Sequence, residues 1–177
     1  MNEAVEHLIT HAERLLARLE AVLPRAPAAP DWTASMAFRY RRRGANTVLE
    51  PVRHVSAIRL SDLREIDRQT ERLTRNTEQF VAGRPANNVL LTGARGTGKS
   101  SLIKACLNEY AARGLRLIEV DKTDLMNLPD LVDLVATRPE RFVVFCDDLS
   151  FDEGEPGYKA LKSVLDGSVA ATSDNVL

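Results

Sequence analysis

The chain has 177 residues, 44% of them hydrophobic and 28% charged, with a formal net charge of −1. That is enough apolar side chain for one globular domain plus an appendage of a few tens of residues, and too much for a disordered chain. No run approaches the ~18 uninterrupted apolar residues of a membrane span, charges through the first 25 residues leave no signal-peptide core, and the lone Cys106 and Cys146 argue against a disulfide scaffold or a zinc cluster.

The expected setting is therefore a reducing cytoplasm, with no membrane partner. Residues 1–88 carry +3 and residues 89–177 carry −4, so neither half demands nucleic acid or a lipid surface. Aromatic residues make up only 5%, which argues against a base-stacking or sugar-binding surface.

In chain order, residues 4–23 predict an amphipathic helix. Leu8, Ile9, Ala12, Leu15, Leu16, Leu19, Val22 and Leu23 recur at helical spacing, with charges opposite. Pro24 ends it, and residues 24–30 hold three prolines and three alanines, the composition of a stiff linker. The helix is then either a separate packing or oligomerisation element or one that folds back on the main domain. Residues 31–60 read as irregular, with Trp32, the basic run Arg39-Tyr40-Arg41-Arg42-Arg43 and a short strand at 55–60. Ser61 or Asp62 is placed to cap a helix running to about Ala82, with Glu65 three residues after Asp62 and Gly83 and Pro85 as stop signals. Beyond Asn88 the pattern alternates: strands at 89–91, 115–120 and 142–146, helices at 99–113, 128–136 and 158–165, and the start of a strand at 175–177. Such alternation predicts βαβ units and a mainly parallel sheet. The domain organisation expected is a helix at 1–23, a linker and basic extension at 24–60, and a nucleotide-binding domain at 61–177.

Gly93-Ala94-Arg95-Gly96-Thr97-Gly98-Lys99-Ser100 matches GxxxxGK[ST], the P-loop or Walker A motif, in full. Glycines at 93, 96 and 98 allow backbone angles that side chains forbid. The loop can then turn its N–H groups toward an anion, over the positive end of the helix that opens at Lys99. Lys99 is placed to reach the β- and γ-phosphates of a nucleotide, and Ser100 to offer its hydroxyl to Mg²⁺. Phe142-Val143-Val144-Phe145-Cys146-Asp147-Asp148, whose Asp147 lies 48 residues after Lys99, has the Walker B form, an apolar strand ending in acids. Asp147 is the expected Mg²⁺ holder at the carboxyl edge of the sheet, and Asp148 the general base or orienter for an attacking water. Strand-terminal capping for Asp147, and plain surface exposure for Asp148, are the alternatives.

Taken together, these motifs resemble the AAA+ ATPases. The segments 38–44, 79–91, 93–101, 145–151 and 157–162 resemble the bacterial AAA+ family catalogued as domain of unknown function 815, over residues from about 37 to 177. The resemblance implies a three-layer α/β/α P-loop NTPase with a parallel sheet of strand order 5-1-4-3-2, acting with ATP and Mg²⁺ in a homo-oligomeric ring. It adds Ser101 to the nucleotide contacts and places Ile66 and Asp67 where such proteins close over adenine. Two departures stand out. The second acid of the Walker B strand is Asp148 where AAA+ proteins usually carry Glu. The sensor residue, arginine finger and helical lid have no counterpart before Leu177, so a form incomplete at its C-terminus is expected.

The leading expectation is an ATP-hydrolysing enzyme. A P-loop kinase or GTPase is the rival, although Val120-Asp121-Lys122-Thr123-Asp124 lacks the Asn/Thr that a guanine motif places before Lys. A nucleotide-gated adaptor with little turnover is the non-enzymatic reading. Arg39, Arg41, Arg42 and Arg43, with Trp32 or Tyr40 to stack, raise nucleic acid as a less favoured partner.

Overall fold

The computed structural model describes residues 3–22, 30–43, 46–150, 158, 161–162 and 173–177. Helix α1 spans Glu3–Val22, followed by strands β1 (Ala37–Arg43) and β2 (Asn46–Pro51), helix α2 (Asp67–Val81), helix α3 (Lys99–Tyr110), strand β3 (Leu115–Glu119), helix α4 (Leu128–Val135) and strand β4 (Arg141–Phe145). The four strands form one sheet in the order β2-β1-β3-β4. β1 pairs antiparallel with β2 and parallel with β3, and β3 pairs parallel with β4. The fold is α/β with a mostly parallel sheet.

Two apolar clusters sandwich that sheet. On one face Phe38, Tyr40, Ile118 and Phe142 pack against Leu128, Leu131 and Val135 of α4. On the other, Ala37, Leu115 and Leu117 pack against Phe80 of α2 and Leu107 and Tyr110 of α3. Adjacent residues of β1 and of β3 thus serve opposite faces, as the period-2 geometry of a strand requires. A third cluster, Leu73 with Leu102 and Cys106, holds α2 against α3. No helix among the described residues is long and apolar enough to cross a membrane.

Several local expectations change. The basic run is strand β1, not irregular chain. Phe38 and Tyr40 are buried and Arg39 and Arg41 exposed, so a half-buried strand was spelled out in alternation. The hairpin hydrogen-bonds directly to β3 although it lies in the 24–60 extension. Residues 55–59 carry no strand. Asn108 of α3 holds that segment instead, its Nδ2 donating to the carbonyls of Ser56 and Ile58 at 2.7 Å each. Helix α2 starts at Asp67, later than a cap at Ser61 or Asp62 implies. Leu60–Asp62 is a single 3₁₀ turn, and Glu65 sits at φ 60°, a left-handed conformation that interrupts any helix.

Residues 89–91 form no strand. Val89 and Leu90 are 45% and 76% exposed. A strand exists only where a neighbour accepts its hydrogen bonds, and the outer edge of β4 is taken by residues 175–177. Phe142 N–H donates to Asn175 O at 2.8 Å, Leu177 N–H to Phe142 O at 2.9 Å, and Val144 N–H to Leu177 O at 2.8 Å. The bridge Phe142–Val176 is parallel, as expected of a strand starting there. Most of the helix expected at 158–165 lies outside the described residues; Tyr158, Leu161 and Lys162 are helical.

Candidate phosphate-binding site

Helix α3 begins with Gly98 as its N-cap, at φ 85°. Its first internal bond runs from Leu102 N–H to Gly98 O at 2.8 Å. Helix geometry therefore leaves the N–H groups of Lys99, Ser100 and Ser101 without intrahelical acceptors, at the positive end of the helix dipole. Gly93 and Gly96 also have positive φ, 146° and 84°, and let the loop reverse over that end. Two side chains hold the loop curled. Lys99 Nζ donates to the carbonyls of Gly93 and Ala94, both at 2.8 Å, and Thr97 Oγ1 donates to Ala94 O at 2.8 Å. The ammonium is thereby carried inside the curve of the loop. Arg95 is exposed at its tip.

The acidic half arrives from β4. Ser100 Oγ donates to Asp147 Oδ2 at 2.7 Å, and the main-chain N–H of Asp148 donates to Asp147 Oδ1 at 3.0 Å. Both oxygens of Asp147 are therefore oriented, and the helix-borne hydroxyl and strand-borne carboxylate meet across 47 residues of chain. Asp148 has φ 52°, in the left-handed region that short acidic residues tolerate best. Both acids are solvent-exposed. Cys146 just before them is partly buried. Burial pushes its thiol pKa up, and the nearby carboxylates of Asp121, after β3, and Asp147 push it further. The site thus lies at the carboxyl ends of β3 and β4, where open α/β sheets bind ligands.

The two adenine-region residues separate. Ile66 packs into the α2–α3 cluster, and a Cβ built on Gly98 would lie 3.6 Å from its Cδ1. Asp67 is exposed in the first turn of α2, on a surface groove with Leu60, Thr70 and Thr74. Ser101, the next helix residue, is half-buried.

The described arginines of the basic run have partners within the fold. Arg39 pairs with Glu119 at 3.1 Å and Arg41 with Glu50 at 3.6 Å, and Arg42 Nη1 donates to Asn127 Oδ1 at 3.3 Å; the side chain of Arg43 lies outside the described residues. Trp32 and Tyr40, expected as stacking platforms, are buried. Trp32 packs edge-on against Phe38 and Phe142, at centroid distances of 4.8 and 4.9 Å.

Two asparagines that no motif marked hold segments of chain in place, one of them the approach to the loop. Asn76 of α2 clasps Asn87, its Nδ2 donating to Asn87 O at 2.8 Å and its Oδ1 accepting from Asn87 N–H at 2.9 Å. That clasp anchors the segment leading into the loop. Asn175 is buried, and its Nδ2 donates to the carbonyls of Val135 and Arg138 at 2.8 and 3.0 Å. For Asn76 the available signal was an Asn within a helix, a poor helix former that implies a side-chain contact.

Fold and site together define an α/β domain in which a glycine loop, a helix start and a strand-end carboxylate converge at the sheet's carboxyl edge. The chain belongs to the family described as a protein of unknown function, DUF815, whose model matches residues 33–177. Comparison with curated proteins and with solved structures gives no match.

Proposed function

We propose that this chain binds ATP together with Mg²⁺ and hydrolyses the terminal phosphate, as an ATPase of the AAA+ kind. The observation that carries the reading is the Ser100 Oγ–Asp147 Oδ2 hydrogen bond of 2.7 Å beside a glycine loop that holds Lys99 Nζ within its curve. Gly93, Ala94, Arg95, Gly96, Thr97 and Gly98 would wrap the phosphates with main-chain N–H groups, joined by those of Lys99, Ser100 and Ser101. Lys99 would exchange its two carbonyl acceptors for phosphate oxygens. Ser100 and Asp147 are hard oxygen donors placed side by side, which suits Mg²⁺, a cation bound by one or two protein oxygens plus phosphates. The cation supplies charge neutralisation for the phosphoryl group. Asp148 would orient or deprotonate the attacking water.

The alternative is a nucleotide-gated adaptor with little turnover. It is favoured by Asp148, whose short side chain springs from a left-handed backbone with its N–H committed to Asp147. A GTPase is disfavoured by the loop after β3, where Asp121 accepts from Thr123 N–H at 2.9 Å and from Thr123 Oγ1 at 2.7 Å, a turn-capping role.

Titration calorimetry with ATP and GTP, with and without Mg²⁺, tests the reading. ATP should bind more tightly than GTP, and more tightly with Mg²⁺. Lys99→Ala should weaken binding by roughly 10-fold or more, since charged hydrogen bonds contribute about 1.5–3 kcal/mol each. A folded chain that ignores ATP overturns the proposal. Phosphate release that Asp148→Asn abolishes without loss of binding favours the enzyme; binding with no release favours the adaptor.

A further inference from the structure

We propose that the Arg95 side chain bonds the terminal phosphoryl group of a bound nucleoside triphosphate, so that the loop itself tells triphosphate from diphosphate. The inference rests on the ATP-binding reading above. That reading uses only the main chain of Arg95; the guanidinium is a further contact.

Three long or polar side chains leave the loop: Arg95, Thr97 and Lys99. Two of them are committed to the loop. Lys99 Nζ donates to the carbonyls of Gly93 and Ala94, and Thr97 Oγ1 donates to that of Ala94. Two of these three bonds end on Ala94 O, so the peptide from which Arg95 springs is held in place. Arg95 itself is exposed and has no hydrogen bond, ion pair or ring contact among the described residues. Asp147 and Asp148 are exposed in the same site, yet Arg95 pairs with neither. The arginines of β1 behave otherwise: Arg39 is tied to Glu119, Arg41 to Glu50 and Arg42 to Asn127. The next residue leaves room, since a Cβ on Gly96 would meet nothing within 4 Å.

Charge and shape choose the ligand. Without Arg95 the site sets one cation, Lys99, against the two carboxylates of Asp147 and Asp148, and Arg95 makes the count even. Its planar fork of donors matches phosphate oxygens in pairs, and it cannot be neutralised near pH 7. The helix start and the inward Lys99 serve phosphates seated within the curve of the loop. A phosphoryl group that extends beyond them meets the crest, where Arg95 stands.

Titration calorimetry of the 177-residue chain with Mg²⁺ and either ATP or ADP tests the assignment. The wild type should bind ATP more tightly than ADP. Arg95→Gln should weaken ATP binding by roughly 10-fold or more, the scale of a charged hydrogen bond, and leave ADP binding unchanged. Arg95→Lys, which keeps the charge and loses the fork, should fall between. The thermal unfolding of both variants should match the wild type, because the side chain has no partner to lose. Equal losses for ATP and ADP, or no loss for either, overturn the assignment and leave ATP binding standing. A wild type that binds both nucleotides equally also overturns it. A wild type that binds neither overturns the ATP-binding reading and this inference together.

Discussion

Lys99, Ser100, Asp147 and the three loop glycines act through angles and distances that single substitutions read out directly. Gly96 and Gly98 have φ of 84° and 85°. A Cβ on Gly96 meets nothing within 4 Å, and one on Gly98 meets Ile66 at an ordinary 3.6 Å. Alanine at either position is therefore penalised by backbone strain alone, roughly 1–2 kcal/mol. Gly93 differs. Its φ of 146° is nearly exclusive to glycine, and a Cβ there would stand 3.2 Å from Thr97 Oγ1. Urea denaturation should rank Gly93→Ala as the most destabilising of the three, with Gly96→Ala and Gly98→Ala close together. Ser100→Ala should leave stability within about 1 kcal/mol, the net value of one hydrogen bond, and should remove the Mg²⁺ enhancement of nucleotide affinity.

The helix pair α2–α3 seats the loop, and Cys106 lies in its seam. Burial pushes the Cys106 thiol up to about 11 from its ordinary value near 9.0. In the unfolded chain the thiol ionises first, so stability falls as pH rises past about 9 and levels off only above about 11, where the thiol is ionised in both states. The contribution to stability is complete below pH 9 and is lost across that interval. Urea midpoints measured from pH 8 to 11 should fall, and Cys106→Ala, although less stable throughout, should fall less. The buried Tyr110 hydroxyl, also shifted upward by burial, accounts for a remaining slope. Asn76→Ala tests the other support of the loop. Loss of the two-bond clasp on Asn87 should raise amide exchange across residues 87–94.

For the whole molecule, the hairpin β1–β2 decides whether the sheet has a closed core. Phe38 is fully buried between β3, β4 and α4, and Phe38→Ala should cost about 3–5 kcal/mol, the usual range for an emptied aromatic site. Arg39→Ala removes a pair whose members are 44% and 43% exposed and should cost less than about 1 kcal/mol. Thermal unfolding of the two variants separates the hairpin's structural role from its charge. If the arginines instead served nucleic acid, a labelled duplex would bind in a salt-sensitive way that Arg39→Ala weakens.

What the amino-acid order determined by itself is the part whose physics is local. Glycines at 93, 96 and 98, a helix opening at Lys99 and an apolar run ending in Asp147 are each encoded within a few residues, and each is where its spacing predicts. The α1 helix is legible for the same reason. Tertiary structure alone decided the rest. Whether residues 37–43 pair with residues 115–119, or residues 89–91 with anything, depends on partners distant in sequence and on the competition for each sheet edge. The alternation in Phe38-Arg39-Tyr40-Arg41 was visible, but a dense arginine run masks a strand until Glu119 and Glu50 are seen to take up its charges. Ser100 and Asp147 belong to different elements, and only the packing of α3 across the ends of parallel strands brings the hydroxyl and the carboxylate within a hydrogen bond of each other.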